Sequence, residues 1–317
     1  MTIPAEVTER VKKADTILIA GHRNPDGDCT GSMLGLGAGL RRLGKTVYTV
    51  SRDPVPAQYR KLPGAREVQK TADVVPELAV AVDCSRKDVL GAPQSLFDQA
   101  ADVLEIDHHD QRESFGSLQL VDTSAASVGE IVYELLTALG VDLTRDIAED
   151  ILTSIIVETN SFRLPSVSPR TFEICARLLE TGVDFLSLTD MVYWSQSKQA
   201  VILSGICFSR ARFLKGDRLV WSIVRLRDFE RVQGKDENVD AVADDMRAIR
   251  SVRVAILFRE KEDNTLRVSL RSKGRVNVGR LAEQFGGGGH NDVAGCVIPN
   301  TRGAMRKVIA AAETLLK

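Results

Sequence analysis

The stretch Thr16-Ile17-Leu18-Ile19-Ala20-Gly21-His22-Arg23-Asn24-Pro25-Asp26-Gly27-Asp28 decides the reading of this chain. Five apolar or β-branched residues in a row predict a buried strand, and the polar run after them falls where an open α/β sheet places its ligands, just beyond the strand's C-terminal end. His22, Asp26 and Asp28 offer one imidazole and two carboxylates within seven residues. Hard oxygen donors with a neutral imidazole suit a divalent cation. If this backbone is extended, Asp26 and Asp28 point to the same side. The same string, Asn24-Pro25-Asp26-Gly27, also reads as an ordinary Asx-rich turn.

Working outward, the pattern repeats. Thr46–Ser51, Leu78–Asp83 and Val103–Ile106 are predicted strands, while Gly31–Leu43 and Ser127–Leu139 are predicted helices that end at Gly44 and Gly140, residues suited to a left-handed cap. Alternating strands and helices imply right-handed crossovers and a mostly parallel sheet. Asp83 ends one strand run, either as a ligand or as the N-cap of the segment Ser85–Leu90. Asp107-His108-His109-Asp110 ends another. Adjacent histidines on an extended chain face opposite ways, so one can take a metal and the other a substrate. All four histidines of the chain, His22, His108, His109 and His290, lie in such polar clusters.

Beyond about Gly182 a helical stretch leads to a second set of strand-like runs, Leu219–Val224, Val252–Arg259 and Leu266–Leu270, with a helix near Val239–Ile249 and a terminal helix from about Arg302. Gly286-Gly287-Gly288-Gly289-His290 does not suit the interior of a helix or strand, because glycine loses so much backbone freedom there. Such a run lets backbone N–H groups approach an anion closely, with a flexible turn as the alternative. Arg271-Ser272 at a strand end adds a fork for phosphate or carboxylate.

A length of 317 residues favours two domains, and 42 basic against 43 acidic side chains leave a net charge of -1. That balance gives no electrostatic basis for tracking long nucleic acid. The five scattered cysteines (Cys29, Cys84, Cys175, Cys207, Cys296) form no Cys-x-x-Cys pair, which argues against a disulfide framework or a zinc knuckle. No stretch approaches a membrane span, and the polar start lacks a signal core. The expectation is a cytoplasmic protein without a membrane partner.

Together these strings resemble the DHH phosphoesterase superfamily, in its two-domain DHH–DHHA1 form of nanoRNase/pAp phosphatases and stand-alone cyclic dinucleotide phosphodiesterases. The resemblance rests on His22-x3-Asp26-x-Asp28-x2-Gly31-Ser32, Asp83, Asp107-His108-His109, and Gly286–His290 followed by Ala294-Gly295, and so covers nearly the whole chain. It implies an α/β fold with an N-terminal parallel-sheet DHH domain (1–185) carrying helices on both faces. A helical connector (186–215) and a smaller α/β DHHA1-type domain (216–317) would come after it, with the active site in the interdomain cleft.

The resemblance further implies two divalent ions, manganese first, with magnesium, cobalt or zinc as alternatives. His22, Asp26 and Asp83 would hold one ion; Asp28, Asp83 and His108 would hold the other, with Asp83 bridging. Asp107 would orient its neighbours and His109 would touch the scissile phosphate, making Asp83, Asp107 and His109 the catalytic set. Arg163, Arg271, Ser272, Gly287, Gly288, Gly289 and His290 would bind substrate. Where the family has an Asp-Thr-Gly, this chain has Glu158-Thr159-Asn160. Glu158 therefore stands in the place of a ligand aspartate, one methylene longer.

The implied substrates are short RNA or DNA oligonucleotides, 3'-phosphoadenosine 5'-phosphate, or linear and cyclic dinucleotides. Family II pyrophosphatase and a non-catalytic nucleotide sensor are the competing readings, and homodimerisation is left open.

Overall fold

The computed structural model describes residues 2–194 and 196–316. They divide into two compact units, Met1–Ser195 and Gln196–Lys317.

The first unit runs α1 (Ala5–Lys13), β1 (Thr16–Ala20), α2 (Gly27–Arg42), β2 (Thr46–Val50), β3 (Leu78–Val82), α3 (Gln94–Phe97), β4 (Asp102–Asp107), β5 (Leu118–Val121), α4 (Val128–Ala138), α5 (Arg145–Glu158), α6 (Pro169–Leu179) and α7 (Phe185–Tyr193). Its sheet has the order β2-β1-β3-β4-β5, and every pairing is parallel. The chain leaves β1 toward β2 on one side and returns to β3 on the other. The C-terminal ends of β1 and β3 therefore flank the topological switch point, where an open sheet offers its crevice. β3 (Leu-Ala-Val-Ala-Val) is buried throughout, as a strand covered on both faces must be. Helices α1, α2, α4, α5 and α6 cover one face, while α3 and the 3-10 turn Lys87–Leu90 cover the other.

α2 lies very close to α5. A Cβ on Gly31 would sit 2.3 Å from the Asp150 carbonyl oxygen, and one on Gly35 would sit 2.9 Å from Ile151 Cγ1. Glycines four positions apart thus bring the two helices together, and this approach lets α5 reach the polar first turn of α2. Gly44 and Gly140 adopt the left-handed conformation expected of them. β5 escapes the sequence pattern because Leu-Gln-Leu-Val is only four residues long.

The second unit contains α8 (Lys198–Ser209), β6 (Arg212–Leu214), β7 (Leu219–Val224), α9 (Leu226–Val232), α10 (Val242–Ala248), β8 (Val254–Glu260), β9 (Thr265–Ser272), α11 (Gly279–Glu283), β10 (Gly288–Gly289), β11 (Val293–Pro299) and α12 (Arg302–Thr314). Its mixed sheet has the order β10-β11-β9-β8-β7-β6, in which only β7 and β8 run parallel. α11 and α12 pack on one face; α8, α9 and α10 pack on the other. The stretch expected as a connector thus includes the edge strand β6, and its helices are shared: α7 lies in the first unit and α8 in the second. No described helix is long and apolar enough to cross a membrane.

Candidate metal centre

Four loops at the C-terminal ends of β1, β3, β4 and α5 bring the first unit's polar residues together. Asp26 caps α2, its carboxylate accepting from the Cys29 N–H at 3.0 Å. Asp28 consequently lies in the first turn of a helix that begins at Gly27, four residues earlier than its sequence suggests. The expectation of two carboxylates side by side on extended backbone is corrected here, because the N-cap bends the chain between them. Asp26 turns toward His22, and Asp28 turns inward, where it is fully buried.

Asp83 occupies the centre. It follows β3 with φ of 59°, an uncommon conformation for a side-chain-bearing residue, and its N–H donates to the Ile106 carbonyl at 3.0 Å. Its two oxygens serve different neighbours. Oδ2 lies 3.4 Å from His22 Nε2, and His22 Nε2 lies 3.9 Å from Asp26 Oδ1. Oδ1 lies 4.0 Å from His108 Nε2 and 3.6 Å from His109 Nδ1. His108 Nε2 is in turn 3.6 Å from Asp28 Oδ2 and 3.9 Å from Glu158 Oε1. The longer glutamate side chain thus reaches the same imidazole as Asp28. The two histidines do not diverge as an extended chain would require; their rings stand edge to face, 5.2 Å apart, beside one carboxylate.

The imidazoles are held by their other nitrogens. His22 Nδ1 is 2.8 Å from the Arg23 carbonyl, and His108 Nδ1 is 3.3 Å from that of Ala125. A proton on Nδ1 in each contact leaves the Nε2 lone pair facing the carboxylates, the tautomer a metal ligand needs. His109 differs: its Nδ1 donates to Asp107 Oδ1 at 2.7 Å. Asp107 is buried and also accepts the N–H groups of His108 and His109. It fixes the whole His-His turn.

Other supporting groups leave little trace in the sequence. Asp28 Oδ1 accepts from Ser154 Oγ at 2.6 Å and Ser32 Oγ at 3.1 Å, while Oδ2 accepts from the Val128 N–H at 3.1 Å. Asp150, Ser154 and Glu158 recur every fourth residue on α5 and so share one side of the helix, and that spacing is the available signal. Cys29 is a further addition. It forms a donor cluster with His22 and Asp83 whose ligand atoms all lie within 4.8 Å of one another, as do those of Asp83, His108 and His109, and of Asp28, His108 and Glu158.

The electrostatics fit cations. Burial, then the nearby Asp83 charge, push Asp28 up to about 7 against the pull of His108. Burial opposes charge on Asp83 as well, yet the His22 hydrogen bond and the three imidazoles hold it well below the usual carboxylate range. Burial likewise works against a charged His109, but the bond to Asp107, with Asp83 behind it, pushes it up to about 9. Crowded acids and imidazoles that compete for protons form a place where divalent ions can take the protons' position.

The remaining predicted site residues belong to the loop after α5 and to the second unit. Arg163 is exposed on the loop after α5, its guanidinium bonded to Asn160 O at 2.7 Å and Asn160 Oδ1 at 2.5 Å. In the second unit, Gly288 and Gly289 form the short edge strand β10, so the glycine run is partly a strand after all. The physical reason is close approach: a Cβ on Gly287 would sit 2.1 Å from the Gly295 oxygen, and one on Gly289 would sit 2.5 Å from the Val293 oxygen. His290 is exposed at its end, with its N–H bonded to Val293 O at 2.7 Å. Arg271 Nε donates to Asp244 at 2.9 Å. Ser272 is buried, and its hydroxyl donates to the Val276 carbonyl at 2.6 Å, so it serves the turn within the fold.

Residues 16–157 match the DHH family, N-terminal domain, and residues 229–317 match the DHHA1 domain. A bifunctional oligoribonuclease and PAP phosphatase NrnA of Thermus thermophilus is 34% identical over 94% of this chain and 88% of that protein. The chain belongs to the DHH family. The Bacillus subtilis protein with the same description is 28% identical over 98% of each chain. An exopolyphosphatase-related protein from Bacteroides fragilis shares the fold, with a TM-score of 0.90 at 24% identity over 98% of this chain and 94% of that one.

Proposed function

We propose that this DHH protein is a metal-dependent phosphoesterase, a cytoplasmic hydrolase that degrades short oligonucleotides from an end and dephosphorylates 3'-phosphoadenosine 5'-phosphate. One observation carries the reading: Asp83 turns one oxygen toward His22 and the other toward His108 and His109. A carboxylate shared between two clusters of donors is what a pair of ions requires. His22, Asp26 and Asp83 would hold one ion, and Asp28, Asp83, His108 and Glu158 the other, with manganese as the preferred metal. The Thermus and Bacillus relatives, described as oligoribonuclease and PAP phosphatase, support the substrate choice.

When bound, two such ions supply an acidified water and neutralise charge on a phosphoryl group. The chain's own residues do the rest. Asp107 holds the His109 ring through Nδ1, and the imidazole fixed in this way is proposed to donate to a phosphate oxygen. The charged state this requires is the one favoured by its position beside Asp107 and Asp83. Arg163, steadied by Asn160, offers a second cationic donor. In the second unit, the glycine run, His290 and Arg271 are proposed to bind a terminal phosphate or nucleotide through backbone N–H groups and positive charge.

A substrate panel tests the reading: oligoribonucleotides and oligodeoxyribonucleotides of increasing length, 3'-phosphoadenosine 5'-phosphate, cyclic di-AMP and pyrophosphate, each with manganese, magnesium, cobalt and zinc. Fastest turnover on the shortest RNA oligonucleotides and on the bisphosphate is expected. Faster cleavage of cyclic di-AMP or pyrophosphate would reassign the substrate, and binding without turnover would make the protein a sensor.

A further inference from the structure

We infer that Cys29 supplies a sulfur donor to the metal position formed by His22 and Asp83, making it a mixed sulfur, nitrogen and oxygen site that accepts thiophilic cations such as zinc, cobalt and cadmium. The proposal rests on the metal reading above and deepens it. Among the described residues, the ligand atoms of His22, Cys29 and Asp83 lie within 4.8 Å of one another. Around one tetrahedral ion with metal–sulfur bonds of about 2.3 Å and metal–nitrogen or oxygen bonds of about 2.0–2.1 Å, donors are separated by roughly 3.3–3.6 Å. His22 Nε2 and Asp83 Oδ2 are 3.4 Å apart, inside that range, and Asp26 Oδ1, 3.9 Å from the same nitrogen, is near enough to complete the tetrahedron.

The sulfur's placement is built into the fold. A Cβ on Gly21 would sit 2.1 Å from Cys29 Sγ, so only glycine after β1 leaves the space the thiol occupies. Cys29 itself is fixed by the first turn of α2, where its N–H is the one that Asp26 caps. The nearby Cys84 is turned the other way, its Sγ donating to the Val82 carbonyl at 3.3 Å. Asp26 is the most exposed of these donors, with 52% of its side chain accessible, and gives a cation its entry. On binding, the Cys29 S–H bond breaks, its electron pair forms the sulfur–metal bond, and the proton passes to solvent. No oxidation is involved. Thiolate ligation raises the affinity for zinc and cadmium more than that for manganese, so this position would admit thiophilic ions beside manganese, which an all-oxygen and imidazole site does less readily.

Cobalt titration of the metal-free, full-length protein under anaerobic conditions reads the ligand directly. The wild type is expected to show a near-ultraviolet thiolate-to-cobalt charge-transfer band. Cys29→Ser is expected to lose it and Cys84→Ser to keep it. Calorimetry on the same proteins should show Cys29→Ser weakening zinc and cadmium by about 10-fold or more and manganese by less than about 3-fold. Bound cobalt without the band in the wild type would overturn the sulfur ligand while leaving the metal site standing; no cobalt binding at all would sink both. X-ray absorption of the zinc-loaded wild type gives the answer without any variant: a sulfur neighbour at about 2.3 Å is expected, and nitrogen and oxygen alone at about 2.0–2.1 Å would contradict it.

Discussion

The two units are built by opposite means for the proposed phosphate chemistry. In the first, Asp28, Asp83 and Asp107 are buried, and their side chains converge with histidines from separate loops. In the second, the corresponding surface is backbone: Gly288, Gly289 and His290 are exposed at a sheet edge. Burial strengthens the interaction between charges and demands that each be satisfied, so the first unit needs a supporting network behind every ligand. An exposed glycine edge needs none, and it can only bind. Catalysis and capture should therefore respond to mutation in different units.

The largest effect is expected for Asp83→Ala, which removes the carboxylate shared by both clusters. Metal-stimulated hydrolysis should fall to background with circular dichroism unchanged, and retained turnover would break the two-cluster assignment. Asp107→Asn keeps the shape but weakens the clamp on His109. Loss of an orienting partner of this kind costs about 10–100-fold in activity or metal affinity, and the pH–rate profile should shift to lower pH as His109 loses the contact that raises it. A parallel loss of activity at all pH values would mean the role is only structural.

Glu158→Asp sharpens the ligand set. Activity should be retained or rise if the carboxylate ligates, and complete loss would mean that the extra methylene is required. His290→Ala should raise KM while leaving kcat within a few-fold, by about 10-fold for one charged hydrogen bond of roughly 1.5 kcal/mol. Unchanged KM and kcat would remove that unit's edge from substrate capture.

The smallest effect concerns stability. Both oxygens of Asp150 are buried and lack a hydrogen-bond partner among the described residues, and burial, then Glu149 and Asp146, push its pKa well above the ordinary value. The folded state therefore holds this proton more tightly than the unfolded chain. Stability should fall as pH rises above the unfolded value of about 3.9, toward the raised folded one. Asp150→Asn should flatten that slope in denaturant melts, and an unchanged slope would place the pH dependence elsewhere.

Much of the fold and site is legible in the sequence because strand tips concentrate chemistry. The apolar run Thr16–Ala20 marks β1 and the residues after it mark its site, and Asp83 and His108 obey the same rule. Capping is harder to read: Asp26 is at once an N-cap and a candidate ligand, and extended backbone would put Asp28 on the wrong face. Supporting contacts such as Ser154 to Asp28, 126 residues apart, come from the approach of α2 and α5, which no local pattern reports. The spacing of Cys29 from other cysteines says nothing of its neighbour in space, His22. The Gly287–Gly289 run signals backbone freedom, yet Gly287 and Gly289 are equally needed to let β11 come close.

Asp83 serving two ions at once is the feature on which the proposed chemistry turns. Manganese titration of the metal-free protein by calorimetry, with Asp83→Ala alongside, tests it most directly. Two ions per chain in the wild type and loss of both sites in the variant are predicted; a single ion in the wild type, or two that survive the loss of Asp83, would contradict it.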